Sequence, residues 1–386
     1  METPRGLARA VETATASASS SGHRVSFDVK PLPGKGLACL ANRDISIGER
    51  VWAERPLVIS GVGAPPLAET FANALRPSER EAYYTLCQNT ARFGDQKSVE
   101  GIFGTNGMPI DNVANKRFAV FLVASRFNHG CQNNAFHKWN EATKCLTVHA
   151  CRPIRCGEEL VICYGFPPGC LVRAQRRQHL RDKFGFECVC AACSLEDEAS
   201  VLSDQRREKI GDQQSLVVEM LQWAREDLVT TEAAVLIERL DERLALAAIE
   251  AGGDGGHYYG VETLLHACVQ FGEQAALRLL ELIKRASSDV GGDESDPDAL
   301  LNISHRRGSP AMSVKRAAMQ QRVDAYVAAA RRWAERARDV TRDLKGEDSP
   351  AFLAWEYAIQ RGFWLPEGPL TFHQLWIDVP GWRKPA

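Results

Sequence analysis

The sequence predicts an α+β fold whose two kinds of structure are segregated, a β-rich stretch opening near residue 25 and an all-helical stretch filling the C-terminal half. Three observations carry that expectation. Short apolar alternations broken by Gly and Pro about every 8 to 12 residues run from Val25 to Ser60, the pattern of brief strands joined by turns. The same pattern returns in CLTVHACRPI and GEELVICYG, separated by a turn at Cys156 and Gly157. From Ala174 onward the apolar period lengthens to that of a helix.

Composition bounds the rest. The 386 residues are 45% hydrophobic and 25% charged, room for about two to three domains with apolar cores of their own at roughly 150 residues each. With 47 basic and 49 acidic side chains the net charge is -2. That excludes a dedicated nucleic-acid or membrane-surface protein, which needs a basic excess. The longest apolar run, Phe118 to Ala124, has seven residues, well short of the ~20 that span a bilayer. Residues 1–24 carry no apolar targeting core and read as a disordered N-terminus. The expectation is a soluble monomer of the cytoplasm or nucleus.

Element by element, VSFDVK, LACLANRDI and RVWAERPLVIS read as strands, and Leu67 to Leu86 as helix with a second start at Pro77 and Ser78. Asn89 to Asn112 is glycine-rich and reads as irregular. Lys116 to Ser125 is apolar enough for a buried helix or strand, and periodicity does not choose. Val261 to Ala286 places apolar residues at helical spacing with Gly272 between two helices. Val323, Val327, Ala330, Ala334, Ala337, Thr341 and Leu344 form one stripe, with Arg331, Arg332, Arg336 and Arg338 mostly off it. Paired helices with close-packing Ala look like a tetratricopeptide-type array, without a clean 34-residue repeat. SSDVGGDESDPDA (287–299) reads as a solvated linker.

The 12 cysteines are too dilute for a disulfide scaffold. Cys188, Cys190 and Cys193 stand as C-x-C-x-x-C, a spacing that wraps three thiolates around one Zn2+ and leaves tetrahedral closure to a fourth ligand. Spacing leaves that ligand open among Cys131, Cys145, Cys151, Cys156, Cys163 and Cys170.

Three further blocks stand in order: Gly34-Lys35-Gly36-Leu37, Arg126-Phe127-Asn128-His129-Gly130-Cys131-Gln132-Asn133-Asn134, and Gly157-Glu158-Glu159-Leu160-Val161-Ile162-Cys163-Tyr164. With the cysteine cluster they resemble the signature blocks of the SET-domain methyltransferases. RRQHLRDKFGFECVCAAC (176–193) is similar to the SET and MYND group and its fungal relatives that lack the MYND finger. The resemblance implies a β-clip with a knot-like crossing in a SET domain at 25–185, with a helical insertion at about 61–112. It places a post-SET zinc segment at 186–195 and a helical domain at 200–386 that walls the substrate cleft. The implied activity is S-adenosylmethionine-dependent methyl transfer to a lysine of a protein or peptide, with no direct role for nucleic acid or membrane.

The residues carried over are Lys35 and Gly36 at the methionine end of the cofactor, Asn128 and His129 at its adenine and amino-acid portions, Asn106 beside it and Phe186 over the adenine. Tyr164 takes the catalytic position, and Cys131 becomes the fourth zinc ligand beside Cys188, Cys190 and Cys193. The remaining cysteines are then expected to behave as small buried apolar groups. The chain departs from the usual N-H-S-C-x-P-N at Gly130 and Asn133, and has Gly104 where relatives tend to have Arg. Those departures open rival readings: a divergent SET fold acting on a small molecule or catalysing another reaction, or a non-catalytic interaction scaffold.

Overall fold

In this computed structural model the described residues are 25–61, 67, 71, 75–110, 117–141, 143–164, 171–210, 233–250, 265, 268–269, 271–272, 275–283 and 310–361. The segments expected to be a disordered terminus (1–24) and a linker (287–299) lie outside them, as does Cys170. β1 (Phe27–Leu32) and β2 (Gly36–Ala41) pair as an antiparallel hairpin. Their tight connection needs left-handed backbone at Gly34 (φ 75°) and Gly36 (φ 73°), which a side chain would strain. β3 (Arg50–Glu54), β8 (Ala135–Asn140) and β9 (Cys145–Ala150) make a three-stranded antiparallel sheet with β9 in the middle. β4 (Val58–Ser60), β5 (Met108–Pro109) and β6 (Phe118–Val120) make another, centred on β6. β7 (Asn128–His129) and β10 (Val161–Ile162) pair in parallel.

These small sheets close on one apolar core. Phe27 meets Trp52 and Phe127 edge to face, at 5.7 and 5.2 Å between ring centres. Of the stretch expected as a buried helix or strand, the described residues 117–125 hold the strand β6 and then the start of a 3-10 turn, Ala124–Arg126. The turn's exposed amides explain the change: the buried carboxylate of Glu54 accepts from the N–H groups of Leu122 (2.8 Å), Val123 (3.1 Å) and Ala124 (2.8 Å), as a helix N-terminus requires.

Residues 89–110 correct the expectation of irregular chain. α1 (Pro77–Tyr84) is followed by α2 (Thr90–Phe93) and α3 (Val99–Asn106), whose starts are capped by the Asn89 and Ser98 side chains. The glycines that argued against helix are packing devices: a Cβ on Gly101 would lie 2.2 Å from Gln88 Oε1, and one on Gly104 2.6 Å from the Phe93 ring.

Beyond the sheets come α4 (Arg173–Phe184), α5 (Asp197–Ile210), α6 (Ala233–Glu250), α7 (Pro310–Lys345) and α8 (Pro350–Arg361). α7 runs 36 residues and buries Val323, Ala330, Ala334, Ala337, Thr341 and Leu344, with Arg331, Arg332 and Arg336 in water. The sequence puts Gly272 between two helices. It is itself helical, and its bare Cα admits α7: a Cβ there would lie 2.9 Å from Ala330 Cβ. The far end of α7 docks on β8 and β9, where Phe136 and Cys151 join the helical core and Arg50 pairs with Asp348 at 3.1 Å.

Candidate functional site

The site grows from the place where the 128–134 and 158–164 stretches lie side by side. Asn134 is fully buried and stitches them: its Nδ2 donates to Glu158 Oε1 at 3.0 Å and Glu159 O at 2.8 Å, and its Oδ1 accepts from Val161 N at 2.7 Å. The two departures in this block have physical counterparts. A Cβ on Gly130 would lie 2.7 Å from Val161 Cγ2, so a valine methyl fills the space that a serine would claim. Asn133 replaces proline's fixed φ with a hydrogen bond, Nδ2 to Ala135 O at 3.0 Å.

Onto this seam the fold gathers most of the expected residues. Asn128 Nδ2 donates to Leu37 O on β2 (3.1 Å) and to Glu159 Oε1 (2.9 Å). The other Glu159 oxygen meets Lys35 Nζ at 2.6 Å. Glu159 was not singled out in the sequence, and only its meeting with Lys35 across 124 positions reveals it. At Gly36 no heavy atom approaches within 4 Å of the Cβ position, so its glycine is set by the turn's φ and faces open space.

His129 is buried. Its Nδ1 accepts the Tyr164 N–H at 3.0 Å, which assigns the ring proton to Nε2, and Nε2 donates to Cys131 Sγ at 3.2 Å. Burial pushes its pKa down to about 4, so the ring is neutral. The Tyr164 hydroxyl donates to Phe127 O at 2.7 Å, and burial pushes the phenol's pKa up, which rules it out as a base near neutrality. Three aromatic groups surround it: Phe184 at 4.9 Å, His129 at 5.3 Å and Phe186 at 6.4 Å between ring centres. Phe184 was missed in the sequence, where F-G-F offered the signal: Gly185 (φ 77°) turns the chain so that both phenylalanines face the tyrosine. Asn106 ends α3 and donates to Cys87 O (2.7 Å) and Ile102 O (2.8 Å), which fixes that corner to the 87 segment.

Next to His129 the sulfurs of Cys131, Cys188, Cys190 and Cys193 all lie within 4.8 Å of one another. Among the described residues it is Cys131, of the open candidates, whose sulfur completes the group, 3.5 Å from that of Cys193. Hydrogen bonding with Cys188 pushes the Cys131 thiol up, and hydrogen bonding with Cys131 pulls Cys190 down. Four soft donors crowded this way suit a divalent ion such as zinc. Among the other cysteines Cys39, Cys151 and Cys268 are buried as expected, but Cys87 and Cys156 are exposed and Cys145 and Cys163 half-buried. They sit on turns and strand edges, where chain direction overrides apolar character.

The chain is similar to known proteins over part of its length. Residues 36–165 match the SET domain family. A histone-lysine N-methyltransferase, set5, of Schizosaccharomyces pombe is 32% identical over 185 residues, 48% of this chain and 56% of that protein. The protein-lysine N-methyltransferase SMYD4 of Homo sapiens is 35% identical over 77 residues, 20% of this chain and 9% of that one. The matches thus span about half of the first relative and far less of the second. A solved structure of the SET domain of LSMT bound to lysine and AdoHcy aligns over 87% of this chain and 93% of that one, with 12% identity. Its TM-score is 0.30. Residues 36–165 are thus similar to SET domains, in a chain similar to the SET and MYND group and its fungal relatives.

Proposed function

We propose that the chain is an S-adenosylmethionine-dependent protein-lysine methyltransferase. The observation that carries it is the convergence of Lys35, Asn128, His129, Tyr164 and Phe186 on one seam of the SET domain. The donor set fits the cofactor: the Lys35 and Glu159 charges match a zwitterionic amino acid, the Asn128 amide offers a polar anchor, and Phe186 offers an apolar face for a purine. When bound, the cofactor supplies an electrophilic methyl group on a sulfonium.

Each residue then has a task. Tyr164 commits its proton to Phe127 O, which leaves the hydroxyl lone pairs to accept from an incoming amine and aim it. His129, neutral, holds the Tyr164 backbone through Nδ1. The apolar walls given by Phe184 and Phe186 favour the neutral amine, so a lysine that has released its proton to solvent enters beside Tyr164 as a nucleophile. Asn106 is assigned to the cofactor side. Cys131, Cys188, Cys190 and Cys193 are assigned to a structural zinc in the post-SET segment that pins Phe186, and the 128–134 stretch to a knot-like crossing. The helices beyond residue 200 form, in this reading, a tetratricopeptide-like domain that walls the cleft. Relatives named for histone and protein lysine support a protein substrate in nucleus or cytoplasm. No helix among the described residues is long and apolar enough to cross a membrane.

The test is calorimetric binding of S-adenosylmethionine to the zinc-loaded full chain, followed by methyl transfer to protein mixtures. Binding by the parent that is lost in Asn128→Ala supports the reading, and a parent that binds nothing overturns it. Tyr164→Phe should cut transfer by about 10²-fold or more while sparing cofactor affinity.

A further inference from the structure

Among the described residues Arg126, Arg176 and Arg207 are buried, at 5%, 1% and 0% exposure, and Arg126 is met by the neutral Thr85; the other two stand on successive helices and meet opposite charge in different ways. Arg207 on α5 faces Glu250 at 2.9 Å, with both side chains no more than 1% exposed. This is an ion pair with its counter-charge inside the protein. Arg176 on α4 is equally buried, at 1% exposure. Its Nη1 donates to Leu171 O at 2.7 Å and its Nη2 to Ala192 O at 3.3 Å, both neutral. The carboxylate within its range, Asp204, is 3.9 Å away, a third exposed, and already accepts the Arg173 N–H at 2.8 Å. The group at the buried end of the guanidinium is sulfur: Nη2 lies 3.8 Å from Cys193 Sγ.

A buried guanidinium without a buried counter-charge is costly, so its placement asks for an anion. Four thiolates around one divalent cation keep a formal double negative charge, in a pocket whose sulfurs are mostly shut off from water. That excess is costly for the same reason.

We propose that Arg176 is the charge partner of the cysteine cluster: donating to Cys193 Sγ, it offsets the negative charge left on the sulfurs when zinc is bound, and so holds the metal. The proposal rests on the zinc assignment made above and adds a residue to it. Arg176 is a positioning residue. Through the Ala192 carbonyl and the Cys193 sulfur it ties α4 to the loop that carries Phe186, so metal retention and the aromatic wall beside Tyr164 become one property. Arg–carbonyl bonds alone would be met by any long donor, whereas a thiolate cluster rewards a fixed positive charge.

The experiment titrates zinc-loaded full-length protein with the chromogenic chelator 4-(2-pyridylazo)resorcinol, for the parent, Arg176→Met, Arg176→Lys and the control Arg177→Met. Arg177 neighbours Arg176 in sequence but pairs with Glu187 at the surface. Arg176→Met should release zinc with an affinity about 10- to 100-fold weaker, as loss of an outer partner of a metal ligand does. Arg176→Lys should fall between it and the parent, and Arg177→Met should match the parent. Cobalt substitution gives a readout that packing alone does not move: the sulfur-to-metal charge-transfer band should shift in both Arg176 variants. Should Arg176→Met fail to fold, Arg176→Lys and its cobalt band decide. Equal affinity in parent and Met variant, a Lys variant as weak as Met, or an unshifted cobalt band in a zinc-binding protein overturns the role of Arg176. A parent that retains no zinc removes the metal assignment itself, a result distinct from these.

Discussion

The β-rich half and the helical half are held by different means. In the first, single polar side chains reach across long stretches of sequence: Asn128 to Leu37, Lys35 to Glu159, Glu54 to the amides of 122–124. Each has one geometry that satisfies it, and a buried amide or carboxylate left unmatched costs about 1–3 kcal/mol. In the second, α7 presents small apolar residues to its neighbours, and buried charge gathers where Arg206, Arg207 and Ser203 meet Glu250. Volume, more than direction, is what that half must conserve. Lys35, Asn128, His129 and Tyr164 stand in the half where direction is fixed, and Phe184, Phe186 and the 188–193 loop are brought to them from the stretch beyond.

The largest way to break that contrast is to remove a sulfur. Cys193→Ser should lose bound zinc by about 100-fold or more, since a ligand matters at least as much as its outer partners, and should take cofactor binding with it. The helical far-UV signal should persist, and its loss would show that the two halves stand or fall together. Next comes Trp333→Ala on α7, where a side chain 1% exposed donates to Asp241 at 2.8 Å. It should cost about 3–5 kcal/mol, read as a lowered urea midpoint, while zinc content under native conditions is unchanged.

The smallest effect sharpens the boundary itself. His149 on β9 is buried beneath the end of α7, and burial pushes its pKa down to about 4. The unfolded chain takes up a proton near pH 6.5 and the folded one only near 4. Stability is therefore full above pH 6.5, falls as pH drops toward 4, and loses about 1.4 kcal/mol by pH 5.5. Urea melts of the parent and His149→Gln at pH 7.5 and 5.5 measure it, and a parent no more acid-sensitive than the variant would refute it.

The contrast also governs what the sequence could tell. The stripe from Val323 to Leu344 was legible because helix periodicity is local. The cysteine cluster was legible as spacing, and its fourth sulfur, Cys131, through the family resemblance. The glycines at 101 and 104 misled because their partners, Gln88 and Phe93, are invisible as partners until the chain folds. Glu159 and Arg176 were passed over for the same reason: each acts through an atom brought close by tertiary structure, and no spacing marks it; Phe184 was passed over although F-G-F stood beside it.

The fit of Val161 against Gly130 reaches beyond this one chain. With 2.7 Å between a Cβ at 130 and the valine methyl, neither site is free to change alone. A serine at 130 demands a smaller residue at 161, and a smaller residue at 161 leaves a void until 130 grows. Single-site scans will score both positions as intolerant, while a library varying them together should recover functional pairs. Reaching an N-H-S-C block from this sequence therefore takes a paired change at 130 and 161.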